Sequence, residues 1–241
     1  MTLSHLFKKS LLFLALIALS ACSQSSEAFL QKGRELMKEG QFEESLTFLN
    51  KAIEKDDRNV DAFNARGVAH FELQRYDQAL LDYDQAIKLN GKAYRPYYNR
   101  ALVRTELKDT AGALSDYTAA IQLRPDTSDL YLNRGAIYFS QKKYPQAIED
   151  FTKAIQLSPN DKNAYFNRGN ILFQMGEFHQ AAEDFSQAVK IDSKFAKAFY
   201  ALGLAEINHA KKEEGCLALK TALKLQHPEA QAALNLYCQV K

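Results

Sequence analysis

The residue types that most often carry chemistry, histidine and cysteine, are sparse here and poorly placed to act together. His5, His70, His179, His209 and His227 show no metal-ligand spacing, and the chain contains no H-E-x-x-H, C-x-x-C, glycine-rich phosphate loop or G-x-S-x-G element. No metal, no cofactor and no catalytic residue is therefore expected. A more informative spacing belongs to charged residues. Arg66 and Asp82, Arg100 and Asp116, Arg134 and Asp150, and Arg168 and Asp184 are each 16 residues apart. Both members are missing together at the two ends of the series, where Lys32 faces Phe48 and Leu202 faces Ala218. Loss in pairs predicts contact in pairs, as structural salt bridges between antiparallel helices; a ligand site is the other reading. Cys216 and Cys238 have His227 as their midpoint, beside Pro228, so two helices folding back about that turn bring them together. Either a disulfide or two buried thiols fits that placement.

The elements that position these residues follow from a period. Gly33, Gly67, Ala101, Gly135, Gly169 and Gly203 are each 34 residues apart, and the same step carries Ala52, Ala86, Ala120, Ala154, Ala188 and Ala222. An aromatic stands four residues before each small one, at Phe29, Phe63, Tyr97, Tyr131, Tyr165 and Phe199, and a further series runs Leu49, Tyr83, Tyr117, Phe151, Phe185 and Leu219. Within a period the apolar positions follow helical spacing, as at Ala79, Tyr83, Ala86 and Ile87. Each period thus predicts two antiparallel helices with a tight turn, as at Lys142-Lys143-Tyr144, and a stop at the junctions marked by Pro125 and Pro159. The small residues let helix axes approach, so bulk added at Gly135 should cost about 1–3 kcal/mol. The boundaries are 26–59, 60–93, 94–127, 128–161, 162–195 and 196–229, with a capping helix over 230–241. The third period departs most, with Ala101, Arg104 and Thr110 at positions that differ in its neighbours, and is expected to be the least rigid.

This pattern resembles the tetratricopeptide repeat, over Ser26 to Glu229. The resemblance implies an all-α, right-handed superhelical solenoid of six hairpins plus a cap, whose first helices line a concave groove that takes an extended peptide or a partner helix. Transferred repeat by repeat, the implied groove positions include Tyr98, Leu132, Phe166 and Tyr200, then Asn99, Asn133 and Asn167, then Leu102, Asn170, Phe139 and Phe173. The asparagines can donate and accept toward a peptide backbone, and the aromatics supply contact area at low entropy cost. The alternative is that the asparagines bond within the solenoid and that Phe139 and Phe173 are packing residues. The clamp with which some family members hold a terminal carboxylate is incomplete, since Asn167 and Lys197 fit but Leu132, Ala136 and Ala201 do not.

Residues Met1 to Ala21 read as an export signal, with Lys8 and Lys9 ahead of the apolar run Leu11 to Leu19. Leu19-Ser20-Ala21-Cys22 resembles the lipobox of bacterial lipoproteins, which implies a lipidated Cys22 and a short tether over 22–25. Losing the signal removes two lysines and no acid, so the formal charge falls from +2 to 0. With both signs of charge interspersed along the helices, nucleic acid is not an expected partner. The expected function is an envelope scaffold that binds a protein or peptide. It is membrane-bound through its lipid alone and sits at the outer membrane facing the periplasm, because Ser23 replaces the aspartate of inner-membrane retention. The alternatives are an assembly factor similar to the pilotin lipoproteins of type IV pilus systems and, last, a glycan-binding or hydrolytic protein.

Overall fold

The computed structural model describes residues 25–238; the export signal, Cys22, Ser23 and Gln24 lie outside the described residues, as do 239–241. Among the described residues there are thirteen helices and no strand. They pair as α1 (Ser26–Lys38) with α2 (Phe42–Lys55), α3 (Val60–Glu72) with α4 (Tyr76–Leu89), and α5 (Tyr94–Glu106) with α6 (Thr110–Leu123). The pairs continue as α7 (Ser128–Ser140) with α8 (Tyr144–Leu157), α9 (Lys162–Gln174) with α10 (Phe178–Ile191), and α11 (Ala196–Asn208) with α12 (Lys212–Lys224). The last helix, α13 (Ala230–Tyr237), is capped at Cys238. The chain divides into two compact units, one ending at Pro96 and the other starting at Tyr97. In the first unit α1 to α4 pack each on the next, and α1 also touches α3; in the second the same holds for α6 to α13, with α7 on α9 and α9 on α11. No helix among the described residues is long and apolar enough to cross a membrane.

Each hairpin turn closes in the same way. Gly40, Gln74, Lys108, Lys142, Gly176 and Ala210, one period apart, all take a positive φ between 58° and 82°. Around Gln74, its own N–H donates to Phe71 O and the N–H of Arg75 donates to His70 O, both at 2.8 Å. That pair of bonds satisfies the carbonyls a helix end would leave open, and it requires a left-handed residue at the first position past the cap. Glycine adopts that conformation freely, whereas the other four residues hold it against a steric penalty. The junctions between hairpins differ: the caps Asp56, Asn90, Ser158 and Asp192 are extended or nearly so, and the next helix is entered through a short turn. At Ser25, Asn59 and Asp161 the side chain then accepts from an N–H of the first turn, the N-cap bond that suits these residue types. Ser25, expected in the tether, is thus the N-cap of α1.

The core repeats with the period. A Cβ placed on Gly67 would stand 2.6 Å from the Tyr83 ring, and one on Gly169 would stand 2.8 Å from Phe185. The small residue of each first helix therefore seats the large residue 16 positions later, and Tyr83, Tyr117, Phe151 and Phe185 are fully buried as a result. Gly135 is less crowded, with Phe151 at 3.0 Å. At the last hairpin a Cβ on Gly203 would meet both Leu219 at 2.6 Å and the Gly215 carbonyl at 2.9 Å, so backbone as well as side chain would have to move.

Candidate functional site

The four arginine–aspartate pairs are formed. Arg134 donates from Nε and Nη2 to the two Asp150 oxygens at 2.9 and 2.8 Å, and Arg168 meets Asp184 in the same fork at 2.8 and 2.7 Å. Arg66 with Asp82 and Arg100 with Asp116 repeat the geometry, each closing to 2.6 Å at Nη2. All four aspartates are buried. The third nitrogen reaches backwards: Arg66 Nη1 donates to Asn50, Arg134 Nη1 to Thr118 and Arg168 Nη1 to Thr152, all in the preceding hairpin. The guanidinium thus ties its own hairpin together and ties it to the one before. In the third hairpin Arg104, one of the departures in that repeat, adds a second cation, its Nη1 lying 2.8 Å from Asp116. Burial pushes the Asp150 carboxyl up and outweighs the opposing pull of Arg134, while the Arg134 guanidinium is itself raised by the hydrogen bond it makes. Both directions follow from one buried, well-formed pair.

The implied groove residues separate into two groups. Asn133 donates to Asp129 O at 2.8 Å, one turn back in its own helix, so its amide is engaged internally. Leu132 packs on the Ala154 and Phe151 clusters, and Phe139 packs on Ala147, Phe151 and Ile171 beside Tyr144. Tyr98 lies edge-on to Tyr117 at 6.1 Å. Asn99 is also engaged within the protein, and Leu102 and Asn167 are half-buried. The other group, Phe166, Asn170, Phe173 and Tyr200, comes together in a cleft of about 300 Å³ in the second unit. Phe185 and Leu204 complete its apolar floor, and Phe166 packs on Phe185 at 5.7 Å and on Phe195 at 5.0 Å.

Three polar residues frame this cleft: Lys197 on α11, which the resemblance matches to a clamp position, and His227 and Glu229 between α12 and α13, which it does not include. His227 stacks on Tyr200 with ring centroids 4.3 Å apart. Burial, then the charge of Glu229 and its hydrogen bond, push the Tyr200 phenol up. The segment reaches this place because α12 ends with Gln226 at φ 63°, a left-handed turn, where the earlier junctions are extended. Pro228 is the available sequence signal, standing one residue later than the register of Pro125 and Pro159. The result is a mostly apolar slot with a cation, a carboxylate and one amide at its edges, suited to an apolar side chain carried on a polypeptide. Among the described residues no cluster of histidine, cysteine and acidic groups could hold a metal ion.

Cys216 on α12 and Cys238 at the end of α13 are joined by a disulfide, with Cα atoms 5.7 Å apart. The cap helix ends at Tyr237, with Cys238 as its C-cap.

Repeating hairpins with small-on-large packing at a fixed register define an interaction scaffold of the repeat class. Family models described as tetratricopeptide or TPR repeat match residues 30–96, 94–127, 135–176 and 169–206. The chain belongs to the tetratricopeptide repeat family. No curated protein matches the sequence. Among solved structures, that of YrrB, described as a TPR protein with an unusual peptide-binding site, is 23% identical and covers 78% of this chain and 97% of its own, with a TM-score of 0.68. The structure of Pseudomonas aeruginosa pilF is 21% identical over 88% of this chain and 97% of its own, with a TM-score of 0.78. The C-terminal part of a TPR repeat-containing protein from Cytophaga hutchinsonii is 18% identical over 86% and 87%, with a TM-score of 0.73. At these identities the likeness is one of fold.

Proposed function

We propose that this protein is a lipid-anchored envelope scaffold that holds a protein partner by inserting one of its apolar side chains into the cleft floored by Phe166, Phe185 and Leu204. The observation that carries this reading is the cleft itself, where Phe166, Phe173, Tyr200 and Leu204 form an apolar lining with Lys197, His227 and Glu229 at its edge. Burying a leucine or phenylalanine side chain there would contribute about 1.5–3 kcal/mol, enough to anchor a segment whose backbone is read by Asn170. A mostly apolar lining with polar groups only at the rim suits binding of a side chain, the role we assign to it. Cys22 supplies the anchor, and Ser23 favours the outer membrane's periplasmic face.

The test is a photo-crosslinking residue placed at exposed Lys197 in living cells. The expected result is a discrete protein adduct that Leu204→Glu abolishes, with no adduct from the same residue at exposed Leu81. Adducts that survive Leu204→Glu would remove the cleft from the account. A Cys22→Ser variant should lose labelled fatty acid and leave the membrane fraction. A second reading, an assembly factor for a pilus or secretin, is favoured by the coextensive fold shared with pilF; a secretin subunit as the cross-linked partner would select it, and a cell-wall enzyme would select the general scaffold.

A further inference from the structure

One wall of the cleft lies outside the paired helices. His227 and Glu229 sit in the strap that leads from α12 into α13. The cap helix that anchors this strap is held loosely by packing alone. It has eight residues and buries only Ala230 and Ala233, while Leu236 and Tyr237 are exposed. A helix of that length does not persist in water by itself, and two alanines with a half-buried Leu234 bury little apolar surface. The Tyr200–His227 stack and the Tyr200–Glu229 hydrogen bond act on the strap itself, and the further tie on α13 is covalent, the Cys216–Cys238 bond, which closes a 22-residue span containing the whole strap.

We propose that the Cys216–Cys238 disulfide controls the cleft, its reduction freeing α13 and the strap and so removing the wall formed by His227 and Glu229. This rests on the reading of the cleft as the binding site. The reductant is a dithiol: its thiolate attacks one cysteine sulfur, the resulting mixed disulfide is closed by the second thiol, and the products are two cysteine thiols and the oxidised dithiol. Both cysteines are only partly buried, so the reductant has access. In the oxidised form the strap is seated and a partner is held; in the reduced form Tyr200 loses both its stacking partner and the neighbouring carboxylate.

Tyr200 and the α13 amides report this without any ligand. The protein would be compared with and without dithiothreitol by hydrogen exchange, and by nuclear magnetic resonance of ring-labelled tyrosine. Exchange of the α13 amides should rise about tenfold or more on reduction while α1 to α10 stay unchanged. The Tyr200 phenol should move down toward its ordinary value of 10.0. Cys238→Ser and Cys216→Ser should each match the reduced form and be insensitive to dithiothreitol. Unchanged α13 exchange, or an unmoved Tyr200, would overturn the proposal. In cells, cross-linking from Lys197 should fall in Cys238→Ser, and undiminished cross-linking would equally overturn it. No adduct in either background, with α13 still released on reduction, would instead strike the binding reading and leave control of the wall standing.

Discussion

Replacing Arg134 with leucine strips Asp150, a residue only 3% exposed in the parent, of both its charge-assisted bonds. Breaking a buried pair from one side costs about 3–5 kcal/mol, because the stranded charge has no solvent to fall back on. The lost Thr118 contact adds little, since that hydroxyl already donates to Leu114 O. Adding Asp150→Ala removes the stranded charge and recreates the leucine–alanine combination that the chain itself carries at Leu202 and Ala218. The double variant should recover to within about 1–2 kcal/mol of the parent, as apolar replacements of buried pairs do. Urea unfolding followed by circular dichroism measures both. The single variant should also become less impaired as pH falls. Its Asp150 pKa, already above 3.8 in the parent, rises further without Arg134, so folding takes up a proton between 3.8 and that raised value and stability improves as the pH enters this window. A single variant that loses under about 1 kcal/mol, or a double variant no better than the single, would refute the assignment of the pair as a buried structural contact.

Ala210→Gly should stabilise the protein by about 0.5–1 kcal/mol, the left-handed penalty of alanine less the extra chain entropy of glycine; an unchanged melting temperature would contradict the turn at φ 64°. Gly203→Ala should cost about 2–3 kcal/mol and more than Gly135→Ala, since only the former meets a backbone carbonyl, and denaturant midpoints of the two variants give the order. His70 has a buried Nδ1 without a hydrogen-bond partner among the described residues, and burial lowers its pKa from 6.5 despite the Asp82 charge. Its neutral form therefore contributes stability above pH 6.5 that is lost as pH falls toward the lowered folded value, and His70→Gln should flatten the denaturant midpoint over that range.

The hairpins were legible because small and large residues repeat at a fixed step, and the period fixes which of them must touch. The ion pairs were legible for a related reason: arginine and aspartate appear and vanish together. The turns were not. Gln74, Lys108, Lys142 and Ala210 carry no preference for the left-handed region, and only their register with Gly40 and Gly176 gives them away. Of the groove positions the resemblance implied, Phe166, Asn170, Phe173 and Tyr200 line the cleft, whereas Asn133 bonds within its own helix and Leu132 and Phe139 pack on neighbouring clusters; periodicity alone does not separate these placements. His227 and Glu229 escaped because the sixth hairpin ends in a left-handed turn where its predecessors are extended, and one shifted proline is a faint sign of that change.

The backward-reaching guanidiniums have a mechanical consequence. In the second unit Arg134 and Arg168 each fasten a hairpin to its predecessor, but Leu202 cannot, so heat or force should fray the stack from the sixth hairpin. A segment lying across α9 and α11 would bridge the seam that lacks an arginine tie. Occupancy should then register as a later onset of melting confined to the carboxy-terminal end.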